Sequence, residues 1–481
     1  MEFVIVKLAP DVAILGAGPA GLAAAFELTR RGAARVTVLE QERSVGGAAG
    51  SFCLAGMNVD YGSHRLHPSC DPEVLRDIRA LLGDDLLTRR RHGRILLKQR
   101  WIHFPLKPLD LVLRLPAGFS LGVAADAVGR ACRQRPAADG PESFASLLEA
   151  GLGRTICREF YFPYAQKLWG LQPGEMSATQ ARRRVSANSL SRMARKALST
   201  VWVPGGQKGD RFYYPRHGFG QVCEAYSRAA RAAGAVVHLD ARVTSVEISP
   251  EGPHTVHYEQ AGSRLSLQAQ TVWSTVPLTD LARLVRPPPP PDILLAAERV
   301  GYRAMILIYL VLEQEQFSPY DAHYFPGTDV AISRLSEPKN YRGGQGPADR
   351  TVLCAELPCN ADGPEWGRSD DELGNLVRTA LAAAGIPIRV PISQVTTRRL
   401  PHAYPIYRLG YEDDLGRLDR AIGAMDRLLT FGRQGLFAHD NTHHALTMGY
   451  CAARCLDQGG VFDGEQWRAQ RRIFETHVVE D

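Results

Sequence analysis

Short apolar runs alternating with glycine turns and helically spaced stretches open this chain. Residues 12–15 are an apolar run of the length expected for a buried parallel strand. Gly16, Gly18 and Gly21 follow, and an alanine- and leucine-rich stretch runs as a helix to about Arg31, stopped by Gly32. Residues 36–39 form a second apolar strand ending on Glu40. Residues 72–200 read as mainly helical, with apolar spacing at Val74, Ile78, Leu81 and Leu82 and again at Phe144, Leu147 and Leu148. Residues 205–220 are glycine-rich and turn-like. A helix over 221–233 leads to strands 235–239 and 242–248, a hairpin of 255–260 against 264–270, and a strand over 271–276. Five prolines at 287–291 predict a stiff polyproline spacer where the chain crosses between domains. Residues 300–312 and 351–357 read as long buried strands, 369–384 as a helix, 429–432 as a strand, and the stretch from about His444 as a final helix.

The glycine spacing carries chemistry. Gly16 permits a tight turn, Gly18 lets backbone approach a pyrophosphate, and Gly21 lets helix and strand pack closely. Pro19 and Ala20 lead the helix, whose N-terminus offers free N–H groups and partial positive charge to that pyrophosphate. Glu40, with Gln41 beside it, ends the second strand where a carboxylate takes both ribose hydroxyls and repels the 2′-phosphate of NADP. Gly46, Gly47 and Ala48 bring a second stretch of backbone to the pyrophosphate, a device of FAD proteins rather than NAD proteins. FAD is the expected cofactor.

Composition narrows the class without changing it. The chain has 481 residues, 45% hydrophobic and 22% charged, so it has length for two or three ordinary globular domains. Net charge is +6, with no aromatic-basic alternation to suit nucleic acid. Nine scattered cysteines without a C-x-x-C point to reduced thiols and a cytoplasmic location. Residues 1–10 are apolar but too short for a signal sequence. Residues 109–128 come nearest to a membrane segment, but Asp110, Arg114, Pro116 and Asp126 interrupt them, so a core or cap helix is expected. Contact of that stretch with a membrane surface stays open. No metal is expected, since the adjacent pair His443-His444 points its imidazoles to different sides of a helix.

Taken in order, GAGPAGL, ERSVGGAAGS, DYGSHRLH, YPRHGFGQ with LDARVTSVE, and GRQGLFAHDNTHHALTMG resemble the FAD-dependent amine oxidase, protoporphyrinogen oxidase and phytoene desaturase superfamily. GSHRLHPS, YFPYAQKLWGLQPGEMS and AYPIY resemble its UDP-galactopyranose mutase-like branch. The resemblance covers roughly residues 11–456. It implies an α/β fold: a glutathione-reductase-type, Rossmann-like FAD-binding domain from 1–70, 205–290 and 425–481, interleaved with an α+β substrate domain from 71–204 and 291–424.

The resemblance also implies residue roles. His64 lies near the flavin face, with a structural histidine holding its loop as the other reading; His67 reads as structural. Val243 offers its backbone to the adenine. Gly432 and Arg433 begin a strand–loop–helix end facing the flavin pyrimidine, where Ala445 and Met448 lie against the ring. Asp440 and Asn441 bond ribityl hydroxyls. On the cap, Tyr161, Tyr164, Lys167 and Trp169 offer stacking and a cation to substrate, with a core role for Trp169 equally open. Tyr404 and Tyr407 close the pocket beside the flavin, and His64 and Tyr404 are the catalytic candidates. The loop departs from the mutases in that Phe437 and His439 replace tyrosines. The expected function is hydride transfer from a small molecule, anionic or nucleotide-linked, to flavin N5 in biosynthetic metabolism. The alternative is a mutase using reduced flavin as nucleophile on a nucleotide sugar. Oligomeric state is not legible.

Overall fold

The first sheet is parallel throughout, with strands in the order Leu428–Thr430, Thr271–Ser274, Asp11–Leu15, Arg35–Leu39 and Val236–His238. A computed structural model of the chain describes residues 11–105, 110, 113–132, 141–184 and 211–479. Strand alternation divides the apolar residues between two faces. Val12, Ile14, Val36 and Val38 pack under the helices Pro19–Arg30, Gln221–Ala232 and Thr442–Arg454. Ala13, Leu15, Leu39 and Val272 meet the antiparallel strands Ala241–Glu247, His254–Gln260 and Ser263–Ala269 on the other side.

A second sheet of seven strands runs Ile392–Pro405, Tyr302–Leu312, Thr351–Cys359, Arg334–Ser336, Ala322–Tyr324, Gly93–Leu97 and Arg100–Phe104. Along its second strand, Tyr302–Leu312, Ala304, Ile306, Ile308 and Leu310 pack toward the helix Asp370–Ala383. Met305, Leu307, Tyr309 and Val311 face the hairpin of Ser51–Leu54 and Met57–Asp60, which follows the second glycine turn. The two sheets are therefore joined through that hairpin. A helical cap of Phe144–Leu152, Phe162–Trp169 and Ala178–Arg184 completes the molecule around Leu148, Leu168, Trp169 and Met176. The fold is α/β, a glutathione-reductase-type nucleotide domain interleaved with an α+β domain.

Several expected elements differ. The described residues of 72–184 are mainly helical, as expected, but after the helix Pro72–Leu82 come three strands that the spacing did not show, Leu86–Arg90, Gly93–Leu97 and Arg100–Phe104. Leu86–Arg90 pairs with Arg211–Pro215, so part of the glycine-rich stretch is a strand. By packing, Pro72–Leu82 belongs with the nucleotide sheet, where Val74, Leu75 and Ile78 join its core. The proline run is not a spacer. Pro290 is the N-cap and Pro291 the first residue of the helix Pro291–Arg299, where a missing N–H is harmless. That helix packs beside Tyr411–Gly423 through Ala297, Leu418 and Ile422, still on the nucleotide side, and the second sheet begins at Tyr302. Among the described residues no helix is long and apolar enough to cross a membrane. The helix Ala117–Cys132 buries Phe119 and exposes Leu121 and Val128. The expectations for residues 1–10, 185–200 and 205–210 lie outside the described residues.

Candidate functional site

The nucleotide cradle is set by what each glycine touches. A Cβ on Gly21 would stand 2.1 Å from Gly16 O, and one on Gly16 2.5 Å from Thr275 Oγ1, so both positions are closed to side chains. Gly16 also holds a φ of 101°. Gly18 is different: nothing lies within 4 Å of its missing Cβ. It is the N-cap of Pro19–Arg30, without a side-chain cap, so the N–H groups of that helix end face open space. The second turn closes on the first. Gly46 N donates to Ala17 O at 2.8 Å, and a Cβ on Gly47 would lie 3.4 Å from Gly18 Cα. Gln41 and Ala48 are exposed at the rim.

Glu40 is buried, its Oε2 accepting from Ala17 N at 2.7 Å and Oε1 from Glu42 N at 3.0 Å. Burial raises its carboxyl pKa, and the two N–H bonds oppose that shift. Each oxygen retains an acceptor site for a hydroxyl. Val243 is followed by a register slip before Ser245, a bulge that interrupts pairing beside the cradle. These features fit a dinucleotide with a ribose diol and a pyrophosphate.

The helix Thr442–Arg454 approaches the first very closely. A Cβ on Gly449 would be 2.4 Å from Ala20 O, and one on Gly432 2.8 Å from Ala20 Cβ. Ala445 and Met448 are buried in the same contact region. Asn441 is the N-cap.

Where the two sheets meet, the chain concentrates charge. His64 stacks on Phe219 with centroids 5.2 Å apart, and its ring is hydrogen-bonded to the Gly62 backbone. Nδ1 has no partner among the described residues. Burial, with the guanidiniums of Arg334 and Arg433 nearby, holds its pKa down at about 3. Arg334 donates from Nε and Nη2 to Glu356 Oε1 at 2.9 and 2.8 Å, and Ser63 N reaches the same oxygen at 2.9 Å. Glu356 thus fixes both the His64 loop and Arg334. Arg433 donates to Ala403 O at 2.5 Å and lies 5.5 Å from the Tyr404 ring. Tyr164, Tyr324 and Tyr404 all lie close enough to act electrostatically on Arg334.

Other expected site residues are placed elsewhere. Lys167 is a correction: its ammonium donates to the carbonyls of Phe325, Gly327, Val330 and Ile332, four acceptors for three N–H groups. Burial lowers its pKa to about 8. It ties down a loop and has no donor left for substrate. Trp169 is a core residue beside Phe144 and His439. Tyr161 ends a π-helical turn, Cys157–Tyr161, and is half-buried against Phe160, desolvation pushing its pKa up to about 12. Tyr407 is buried, donating to Phe437 O at 2.9 Å and accepting from His439 N at 3.0 Å, so it pins the loop before the final helix. Asp440 is also a correction, because its carboxylate faces Arg183 at 3.5 Å and His477 at 3.1 Å. Arg334, Glu356 and Tyr324 were missed. The readable signal was Glu356, a lone charge inside an apolar strand that must find a buried partner.

His64 and His323, which burial likewise holds at about 3, give a pH prediction. Depressed histidines contribute stability above their ordinary pKa near 6.5, and it is lost as pH falls from there toward 3. The slope is about 1.4 kcal/mol per pH unit and group. Thermal unfolding across that window should show His64→Asn losing less stability than wild type; equal slopes would sink the assignment.

The sequence matches the family described as flavin containing amine oxidoreductase over residues 19–454. The "Putative flavin-containing monoamine oxidase AofH" of Mycobacterium tuberculosis is 28% identical over 252 residues, covering 49% of this chain and 51% of that protein. The chain thus spans about half the length of the curated relatives it matches. Reduced UDP-galactopyranose mutase superposes with a TM-score of 0.79 at 19% identity, covering 95% of this chain and 97% of that one. Cyclohexylamine oxidase from Brevibacterium oxydans IH-35A gives 0.66 at 18% identity, covering 93% and 98%. At these identities the structures establish the fold alone.

Proposed function

Because the chain belongs to the flavin containing amine oxidoreductase family, we propose that it is an FAD-dependent oxidoreductase whose small-molecule substrate carries negative charge. When bound, FAD supplies the hydride acceptor. The chain's own residues bind and orient. Gly16, Gly18, Gly21, Gly46 and Gly47 admit the pyrophosphate, Glu40 takes the ribose diol, and the backbone around Val243 receives the adenine. Gly432, Ala445, Met448 and the capped helix start at Asn441 flank the ring end.

One observation carries the substrate class: Arg334 and Arg433 flank a histidine that is neutral at ordinary pH. Glu356 is the carboxylate paired with Arg334. A carboxylate or phosphate placed there gains guanidinium neighbours, whereas a protonated amine is repelled by them. His64, being neutral, presents Nδ1 as an acceptor that orients a substrate O–H or N–H. Tyr404 and Tyr164 border the same charge.

The test is anaerobic titration of the flavin-loaded protein, following flavin absorbance. Anionic compounds such as UDP should perturb the flavin band, while putrescine and cyclohexylamine leave it unchanged. Bleaching by either amine would overturn the anionic substrate.

A mutase is the second reading, favoured by the superposition on reduced UDP-galactopyranose mutase over most of both chains. It predicts UDP-galactose conversion only after dithionite reduction, with no net change in flavin redox state. Phe437 and His439, both buried where mutases carry tyrosines, weigh against it.

A further inference from the structure

We propose that Asp440, His444 and His477 form a binding site for one divalent transition-metal ion of the zinc class. The three arrive from separate places in the chain. Asp440 ends the loop before the final long helix, His444 lies in its first turn, and His477 follows the C-terminal helix Gly464–Phe474. One ligand atom from each lies within 4.8 Å of the other two. His477 Nδ1 stands 3.1 Å from Asp440 Oδ2, and His444 Nδ1 3.9 Å from Asp440 Oδ1.

A tetrahedral zinc with arms of 2.0–2.1 Å needs ligand atoms about 3.3 Å apart, so no separation need close by more than roughly 1.5 Å. His477 can supply that movement by turning its ring out of the stack on His444, whose centroid is 4.1 Å away. His444 Nδ1 accepts from Asn441 N–H at 3.3 Å, so that nitrogen is unprotonated, and the ion must displace this capping bond to take its lone pair. Between His477 and Asp440 the ion takes the place of the Nδ1 hydrogen, the ring adopting the tautomer that carries its hydrogen on Nε2. Arg183 Nη1, 3.5 Å from Asp440 Oδ1, then acts as the outer partner that holds the carboxylate.

Two imidazoles and one carboxylate suit zinc or ferrous iron, whereas magnesium and calcium require oxygen ligands. His477 also lines a cavity of about 580 Å³ with Arg183, Tyr407, Tyr411 and Met448, a route by which the ion and a fourth, water ligand reach the site. The adjacent pair His443-His444 is not the chelate. His444 joins residues remote in sequence, while His443 turns into the interior, its centroid 6.5 Å from that of His67.

The experiment is calorimetric titration of the flavin-loaded, full-length protein with zinc chloride in a non-chelating buffer. Wild type should bind one equivalent, with an upward shift of Tm. His217→Ala, at a largely exposed histidine elsewhere, should bind identically. His477→Ala should weaken binding by more than the roughly 10–100-fold that loss of an outer-shell partner costs. His477→Asn, which can still donate to Asp440, serves if the alanine variant fails to fold. No zinc uptake by wild type, or unchanged affinity in the His477 variant that folds, would overturn the site.

Discussion

Gly21→Ala is expected to yield protein that purifies without flavin and melts at a lower temperature. Its new Cβ would lie 2.1 Å from Gly16 O and 3.2 Å from Ile14 Cγ2, and a backbone oxygen cannot rotate away. The helix must lift from the strand, at a cost of about 1–3 kcal/mol typical of overpacked cores. Lifting it also moves the N–H groups that receive the pyrophosphate. Gly18→Ala separates the two effects. It meets no protein atom within 4 Å, so stability should hold while flavin is lost. Flavin absorbance and thermal melts of both variants check this; retention of full flavin by Gly18→Ala would contradict the placement of the pyrophosphate.

The second large effect is expected at Glu356→Leu. The substitution leaves the largely buried Arg334 guanidinium without its carboxylate and Ser63 N without its acceptor. Breaking a buried ion pair from one side costs about 3–5 kcal/mol, because the remaining charge is uncompensated. Adding Arg334→Leu removes that charge, so the double variant should recover much of the loss in urea unfolding. It should not recover activity, since it also removes a cation from the substrate cluster. A double variant no more stable than Glu356→Leu would show that the pair is not the source of the effect.

The nucleotide cradle was legible because its constraints are local. Close backbone approach demands glycine, and the strand, turn, helix, strand and acid all fall within residues 12–40. The alternating hairpin observed as His254–Gln260 and Ser263–Ala269 was legible for the same reason. The hairpin Gly93–Leu97 and Arg100–Phe104 was not. Its turn residues Lys98 and Gln99 both adopt positive φ, of 53° and 57°, a geometry normally advertised by Asn-Gly. Lys167 misled because spacing on its own helix said nothing of the four carbonyls arriving from residues 325–332. Asp440 misled similarly, since its partner His477 comes from the end of the chain. The cationic cluster needed Arg334 and Glu356 from the second sheet beside His64 from the first part of the chain, a juxtaposition that only the tertiary fold creates.

The close seating of Gly449 on Ala20 sets an order of events during synthesis. The opening βαβ unit leaves the ribosome first, yet its sheet lacks Thr271–Ser274 and Leu428–Thr430, and its helix lacks the partner that covers Ala20, Ala23 and Ala24. Until residues 442–454 have emerged, the nascent cradle exposes an alanine-lined helix face to chaperones and cannot be sealed. Cofactor capture is therefore expected only after residues 442–454 have emerged. A chain ending before the last long helix should accumulate as a chaperone client rather than as a smaller flavoprotein.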